Sequence, residues 1–289
     1  MRAWLVAARP PTLLASIAPV LVGSGLAIGQ GVFRWDAFVV TLITAVLLNI
    51  AVNFANDASD AARGADTEYR IGPPRVVASG LLTARQVWTG TAVVLALACG
   101  GGVYLTVISG SLILWIGGAA IVALLTYTGG PWPYGYKGLG EVAVFVFFGP
   151  AAVVGSRYVH DGTVPGEAWL LAIPVGFLVT AILVANNVRD LETDRDTGKR
   201  TLAVILGQPG TRILYAALVS GAFVAIGVFA GVGLVSRRAL IAFAAVPLAI
   251  RPLRRVLRDT EGPSLVAALK ATALLHLAFG ALLGAGVAL

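Results

Sequence analysis

FVVTLITAVLLNIAVNFANDASDAARGAD, residues 38–66, begins as an uncharged apolar run and ends in a crowd of asparagines and aspartates. Its first half has the composition of a helix that crosses a bilayer. Its second half places, directly at the end of that helix, the side chains that lipid tolerates least. The chain then repeats the arrangement: AIPVGFLVTAILVA, residues 172–185, runs into NNVRDLETDRDTGKR, residues 186–200. Both joints raise one question, namely why membrane helices should end in paired acidic faces.

The whole composition agrees with the first half of that reading. Of 289 residues 58% are hydrophobic and only 12% charged, with a mean hydropathy of +0.88, whereas soluble domains carry about 25% charged residues. One water-soluble core cannot bury so much apolar surface, so the chain reads as an integral membrane protein. Apolar segments recur to the last residue, and the first is read as a retained span, not a cleaved signal. Short alternating segments of the β-barrel kind are absent. The expected fold is all-α, a single domain over residues 1–289 with nine transmembrane helices. They fall near 12–29, 37–55, 87–107, 111–128, 139–156, 169–187, 211–234, 238–250 and 265–287, the eighth being the shortest.

Charge distribution orients these windows. With the N-terminus in the cytoplasm, only Arg34, Arg157, Arg237 and Arg238 of the 21 basic residues fall outside. That asymmetry is the one expected of a cell-membrane protein with its C-terminus outside. Topology and anionic lipid account for the net charge of +7 without nucleic acid. The one cysteine, Cys99, is expected to pack in a span. His160 and His276 lack a second histidine or cysteine at ligand spacing, which argues against a zinc site or a histidine triad.

The acidic joints carry the chemistry. Asn53, Asp57 and Asp60 stand four and then three residues apart, as do Asn186, Asp190 and Asp194, so each set shares a face of a continuing helix. Carboxylates crowded at a membrane edge repel unless a cation lies between them. Hard oxygen ligands suit Mg²⁺, which typically combines one or two carboxylates with substrate phosphates. Two Mg²⁺ ions across a diphosphate are therefore expected. Lys137 in PWPYGYKGLGE, Lys199 and Arg200 in TGKRTL, and Arg63 and Arg75 beside the first joint are candidates for its remaining oxygens. Tyr134 reads equally as an interfacial anchor or a site residue, and Asp66, Glu68, Asp196 and Asp259 read as solvated surface.

On these residues the sequence resembles the UbiA superfamily of intramembrane prenyltransferases, and within it the branch that prenylates 1,4-dihydroxy-2-naphthoate for menaquinone synthesis. The likeness runs through ARPPTLLASIAPVLVGSG, NFANDASDAARGADTEYRIGPPRVVASGLLT, PWPYGYKGLGEVAVFVFFGPAAVVGSRYV and NNVRDLETDRDTGKRTLAVILG. The family's first aspartate-rich motif maps onto Asn53, Asn56, Asp57 and Asp60, the second onto Asp190 and Asp194, and its Y-x-x-K element onto Tyr134 and Lys137. Gly64 and Gly198 stand where further acids can occur, which leaves open the roles of Asp66, Glu192 and Asp196.

The resemblance implies a helical bundle around a central cavity, a cytoplasmic cap and a lateral opening for a lipid tail. It also implies the reaction, in which a polyprenyl diphosphate ionises and its allylic carbon alkylates an aromatic acid. Asn53, Asp57 and Asp60 would then hold one Mg²⁺, and Asp190 and Asp194 the other. Lys137, with Lys199 or Arg200, would contact the diphosphate directly as a catalytic group, Asn56, Arg63, Tyr134 and Asn186 would help bind it, and Arg9 would meet the acceptor carboxylate. Two other readings stay open: a related enzyme acting on a 4-hydroxybenzoate-like acceptor, and an ion-coupled transporter, which would carry its acids nearer the bilayer midplane.

Overall fold

The computed structural model describes residues 2–65, 72 and 74–289, and every regular element among them is helical. A short helix α1 (Arg2–Ala8) breaks at Arg9, and α2 (Pro10–Gly29) restarts with prolines in its first turn, where a missing N–H breaks no helical hydrogen bond. Arg9 makes the break in the left-handed region, at φ 51°. There follow α3 (Trp35–Ala62), α4 (Ala84–Ser109) and α5 (Leu112–Tyr127). A 3₁₀ turn, Tyr134–Lys137, leads into α6 (Gly140–Val146), a π-helical stretch Phe147–Ala151 and α7 (Ala152–Tyr158). The chain ends with α8 (Gly166–Asp196), α9 (Leu202–Gly231), a 3₁₀ stretch Arg237–Ala245, α10 (Val246–Arg258) and α11 (Gly262–Ala288).

Seven of the described helical segments are long and apolar enough to cross a membrane: α2, α3, α4, the continuous run Gly140–Tyr158, α8, α9 and α11. Two of the nine spans expected from the sequence are not among these seven. Window 111–128 falls on α5, a helix of only 16 residues. Window 238–250 falls on 3₁₀ turns followed by α10, a helix of only 13 residues that carries four arginines beyond the window. α9 starts well before its window because Gly207, at φ 67°, bends the chain just ahead of Pro209.

The main core gathers around α8, whose Leu171, Leu178 and Val184 join Tyr215 and Ile226 of α9 and Leu275, Phe279 and Leu283 of α11. α2 and α11 meet almost backbone to backbone. A Cβ added to Gly25 would stand 2.3 Å from the Gly284 carbonyl oxygen, so only glycine permits this approach. α4 is peripheral: Val93, Leu97 and Val107 are exposed, as suits a face toward lipid. In the Gly140–Tyr158 run, Pro150 has no N–H to offer an α-helical ladder, and the helix widens to π register there. That bulge turns Phe147 and Phe148 toward the space between α3, α5 and α8.

Candidate active site

That space is a cavity of about 600 Å³. Its walls change character along its length. Arg9, Asn53, Asn56, Asp60, Arg75, Asp190, Asp194 and Lys199 line one part, whereas Val20, Leu48, Leu105, Ile113, Ile116 and Phe148 line another. Val103 of α4 and Leu114 of α5 line it too while 57% and 54% exposed, so the wall is open between those two helices.

Helix geometry decides which residues of α3 reach the cavity. At about 100° per residue, Asn49, Asn53, Asn56 and Asp60 fall within a single narrow stripe, and all four line the cavity. Asn53 donates its amide to the Ala8 carbonyl (2.9 Å) and to Thr12 Oγ1 (3.1 Å), so its oxygen is turned away from the α1–α2 break. Asn56 accepts from Thr128 Oγ1 at 3.0 Å.

Asp60 is surrounded by donors. Tyr136 Oη donates to Oδ1 at 2.5 Å, and Arg75 Nη2 lies 3.1 Å from Oδ2. Lys199 Nζ stands 3.8 Å from Asp60 Oδ2 and 3.7 Å from Asp194 Oδ1, over the Tyr136 ring at 4.8 Å. One buried ammonium thus bridges the carboxylates of the two joints, which face each other across its width. Asp190 takes a bidentate pair from Arg189, at 2.7 and 2.5 Å, and a bond from Asn186 Nδ2 at 3.2 Å. The Arg200 amide donates to the Tyr136 carbonyl at 3.0 Å, which joins the 134–137 turn to the end of the second joint. Among the described residues, no three carboxylates, histidines or cysteines converge tightly enough to hold a metal by themselves.

The model for the UbiA prenyltransferase family matches residues 16–285. The chain belongs to this family. It is 42% identical over 272 residues to the 1,4-dihydroxy-2-naphthoate octaprenyltransferase of Mycobacterium leprae, covering 94% of this chain and 91% of that one. The enzyme of the same description from Escherichia coli is 39% identical over 268 residues, covering 90% and 86%. A solved UbiA homologue from Archaeoglobus fulgidus, bound to DMAPP and Mg²⁺, superposes with a TM-score of 0.66 over 97% of this chain and 98% of that one, at 17% identity. With these apolar helices and this family, the chain is a multi-pass membrane protein.

Set against this UbiA fold, several residues chosen from sequence lie elsewhere. Asp57 is buried but absent from the cavity wall; its Oδ2 and Oδ1 accept from the Val76 and Val77 amides at 3.1 and 3.0 Å, with Arg9 Nη2 at 3.5 Å. It anchors the turn that carries Arg75. Lys137 is exposed beside the Trp132 ring (5.8 Å), and Arg200 is exposed as well; neither lines the cavity. Arg63 donates to the Thr128 and Gly130 carbonyls and ties α3 to the end of α5. Tyr134 does line the cavity, but its hydroxyl donates to the Ala123 carbonyl at 2.9 Å; burial pushes its pKa up to about 12, which keeps it a donor. Cys99 is exposed and on the cavity wall, not packed in a core. Glu192 and Asp196 are exposed, while Asp66, Glu68 and Arg70 lie outside the described residues.

Sequence reasoning passed over Tyr136, Arg189 and Asn187; Arg75, offered as a phosphate candidate, does line the cavity. The available signal for Tyr136 was its place in YGYK next to Lys137; nothing in the sequence says that the 3₁₀ turn directs Tyr136 to Asp60.

Proposed function

We propose that the chain transfers a polyprenyl group from its diphosphate to 1,4-dihydroxy-2-naphthoate with loss of the carboxylate, giving demethylmenaquinol for menaquinone synthesis. The observation that carries this is one cavity with a cation-rich acidic end and an apolar remainder, in a chain 42% identical to a naphthoate octaprenyltransferase. The substrate has the same two halves.

The donor set fits Mg²⁺. Asp60 and the amide oxygens of Asn53 and Asn56 on α3, and Asp190 and Asp194 on α8, offer hard oxygens from two sides. A metal that normally completes its shell with water and phosphate needs no closed protein cage. Two ions are proposed, one for each helix. Bound there, Mg²⁺ would neutralise charge on a departing diphosphate. Lys199 and Arg75 are placed to take phosphate oxygens, each already beside Asp60. Arg9, at the mouth of α2 on the same wall, is proposed for the acceptor carboxylate. Phe147, Phe148, Leu48 and Ile116 keep water from the allylic carbon, and the gap between α4 and α5 lets a long tail extend into lipid.

Retention of nine crossings in a single domain over 1–289 is part of the same proposal. At about 2.0 Å per residue for 3₁₀ and 1.5 Å for α-helix, residues 237–258 reach roughly 35 Å if collinear, against a hydrocarbon core of about 30 Å. With the N-terminus inside, the polar end of the cavity is cytoplasmic and the C-terminus lies outside a cell membrane. In a Cys99→Ala background, single cysteines at Gly64 and Gly198 should react with an impermeant thiol reagent from the cytoplasmic side only. Labelling from opposite sides would divide the site across the membrane and defeat the reading.

The function itself is tested with purified protein, Mg²⁺, a polyprenyl diphosphate, and 1,4-dihydroxy-2-naphthoate or 4-hydroxybenzoate at equal concentration. A decarboxylated prenyl naphthalenediol is expected, with 4-hydroxybenzoate a poor acceptor. A product that keeps its carboxylate, or a preference for 4-hydroxybenzoate, moves the chain to another branch of the family.

A further inference from the structure

Asn186 and Asn187 are neighbours on α8 and both line the cavity, yet their amides are engaged differently. Asn186 donates from Nδ2 to Asp190 and accepts at Oδ1 from Arg189 Nη2 (2.9 Å), so both of its ends are held within the acidic cluster. Asn187 donates from Nδ2 to Glu141 Oε1 at 2.8 Å, and no described residue donates to its Oδ1. Glu141, in the first turn of α6, is 5% exposed and has no lysine or arginine within ion-pair reach among the described residues. A buried carboxylate without a cation depends on its hydrogen-bond donors. The pairing fixes the Asn187 amide, since turning it over would set its oxygen against the Glu141 oxygen. What remains is an oriented acceptor on a wall where Leu183, Val144 and Phe147 stand beside Tyr127 and Asn186.

We infer that Asn187 Oδ1, held in place by Glu141, accepts a hydrogen bond from a ring hydroxyl of the aromatic acceptor and selects rings that carry it; this rests on the naphthoate reading above. The polarity suits the chemistry. A phenol that donates its O–H gains electron density on oxygen, and that density passes into the ring and makes it a better nucleophile toward an allylic cation. An N–H aimed at the same oxygen would withdraw density instead. The fixed acceptor is selective because a ring lacking the hydroxyl leaves the amide oxygen unpaired.

The experiment compares 1,4-dihydroxy-2-naphthoate with 1-hydroxy- and 4-hydroxy-2-naphthoate in the full-length protein, its Asn187→Ala and Asn187→Leu variants, and Glu141→Gln. The unaltered protein should prefer the dihydroxy acid over one monohydroxy acid by about ten- to a hundredfold in kcat/KM. Asn187→Ala should reduce that preference about tenfold while the KM for polyprenyl diphosphate stays within about twofold; Asn187→Leu, which keeps the branched shape of the side chain, should behave alike. Glu141→Gln should show the same signature at smaller size, because a glutamine can pair with either orientation of the Asn187 amide. A preference undiminished in both Asn187 variants overturns the inference, as does a rise confined to the KM for the diphosphate. Failure of the unaltered protein to turn over any naphthoate would overturn the acceptor reading together with it.

Discussion

Asp60→Asn and Asp194→Asn are each expected to lower turnover by about a thousandfold or more, the several kcal/mol that metal stabilisation of a leaving group supplies, without loss of helical content. Asparagine keeps the size of each side chain but removes the charge, and both carboxylates stand on a cavity wall on either side of Lys199. Asp57→Asn should behave differently. Its carboxylate holds two backbone amides of the turn that carries Arg75, so an asparagine, with one acceptor oxygen, loosens that turn and reduces turnover by about ten- to a hundredfold. Magnesium titrations separate the two cases: the Asp60 and Asp194 variants should need far more Mg²⁺, and the Asp57 variant no more than the unaltered protein. Full activity at saturating Mg²⁺ in the first two would remove them from the metal site. A matching Mg²⁺ shift in the third would restore Asp57 to it.

Asp57 also marks the limit of what the sequence discloses. The spacing of Asn53, Asp57 and Asp60 correctly implies a helix that continues past the apolar run, and α3 does run to Ala62. Spacing gives the relative angles of side chains around an axis but not where that axis points. The cavity stripe is centred between Asn53 and Asn56, which brings in Asn49 and leaves Asp57 on its rim, facing Val76 and Val77. The loops were less legible still. Lys137 and Tyr136 are adjacent in YGYK, and only the pairing of the 134–137 turn with Arg200 determines that the tyrosine meets Asp60 while the lysine faces out. Apolar windows, by contrast, were readable because lipid imposes them residue by residue. They blurred at the fourth, where α5 is only 16 residues, and at the eighth, where 3₁₀ turns and arginines replace a long apolar helix.

Lys199→Met is expected to reduce kcat/KM by about a hundred- to a thousandfold, whereas Lys137→Met and Arg200→Gln should stay within about threefold. The sequence puts Lys137 first and Lys199 or Arg200 beside it; burial reorders them. Lys199 is 7% exposed and within ion-pair reach of Asp60 and Asp194 together, and the other two project from the surface. Methionine retains most of the lysine stem but leaves the two carboxylates facing each other with no charge between them, and takes from the diphosphate its nearest ammonium. Removing one partner of a buried ion pair costs about 3–5 kcal/mol, so part of the damage should appear as a lower melting temperature. Added Mg²⁺ should recover that stability in Lys199→Met, since a divalent cation between Asp60 and Asp194 relieves the same repulsion, but it should not recover the rate. Were Lys137→Met to prove as damaging as Lys199→Met, the 134–137 turn would have to rotate during the reaction, bringing the lysine in and Tyr136 out. Spectra of a fluorophore attached at residue 137, with and without diphosphate, would then show that rotation directly.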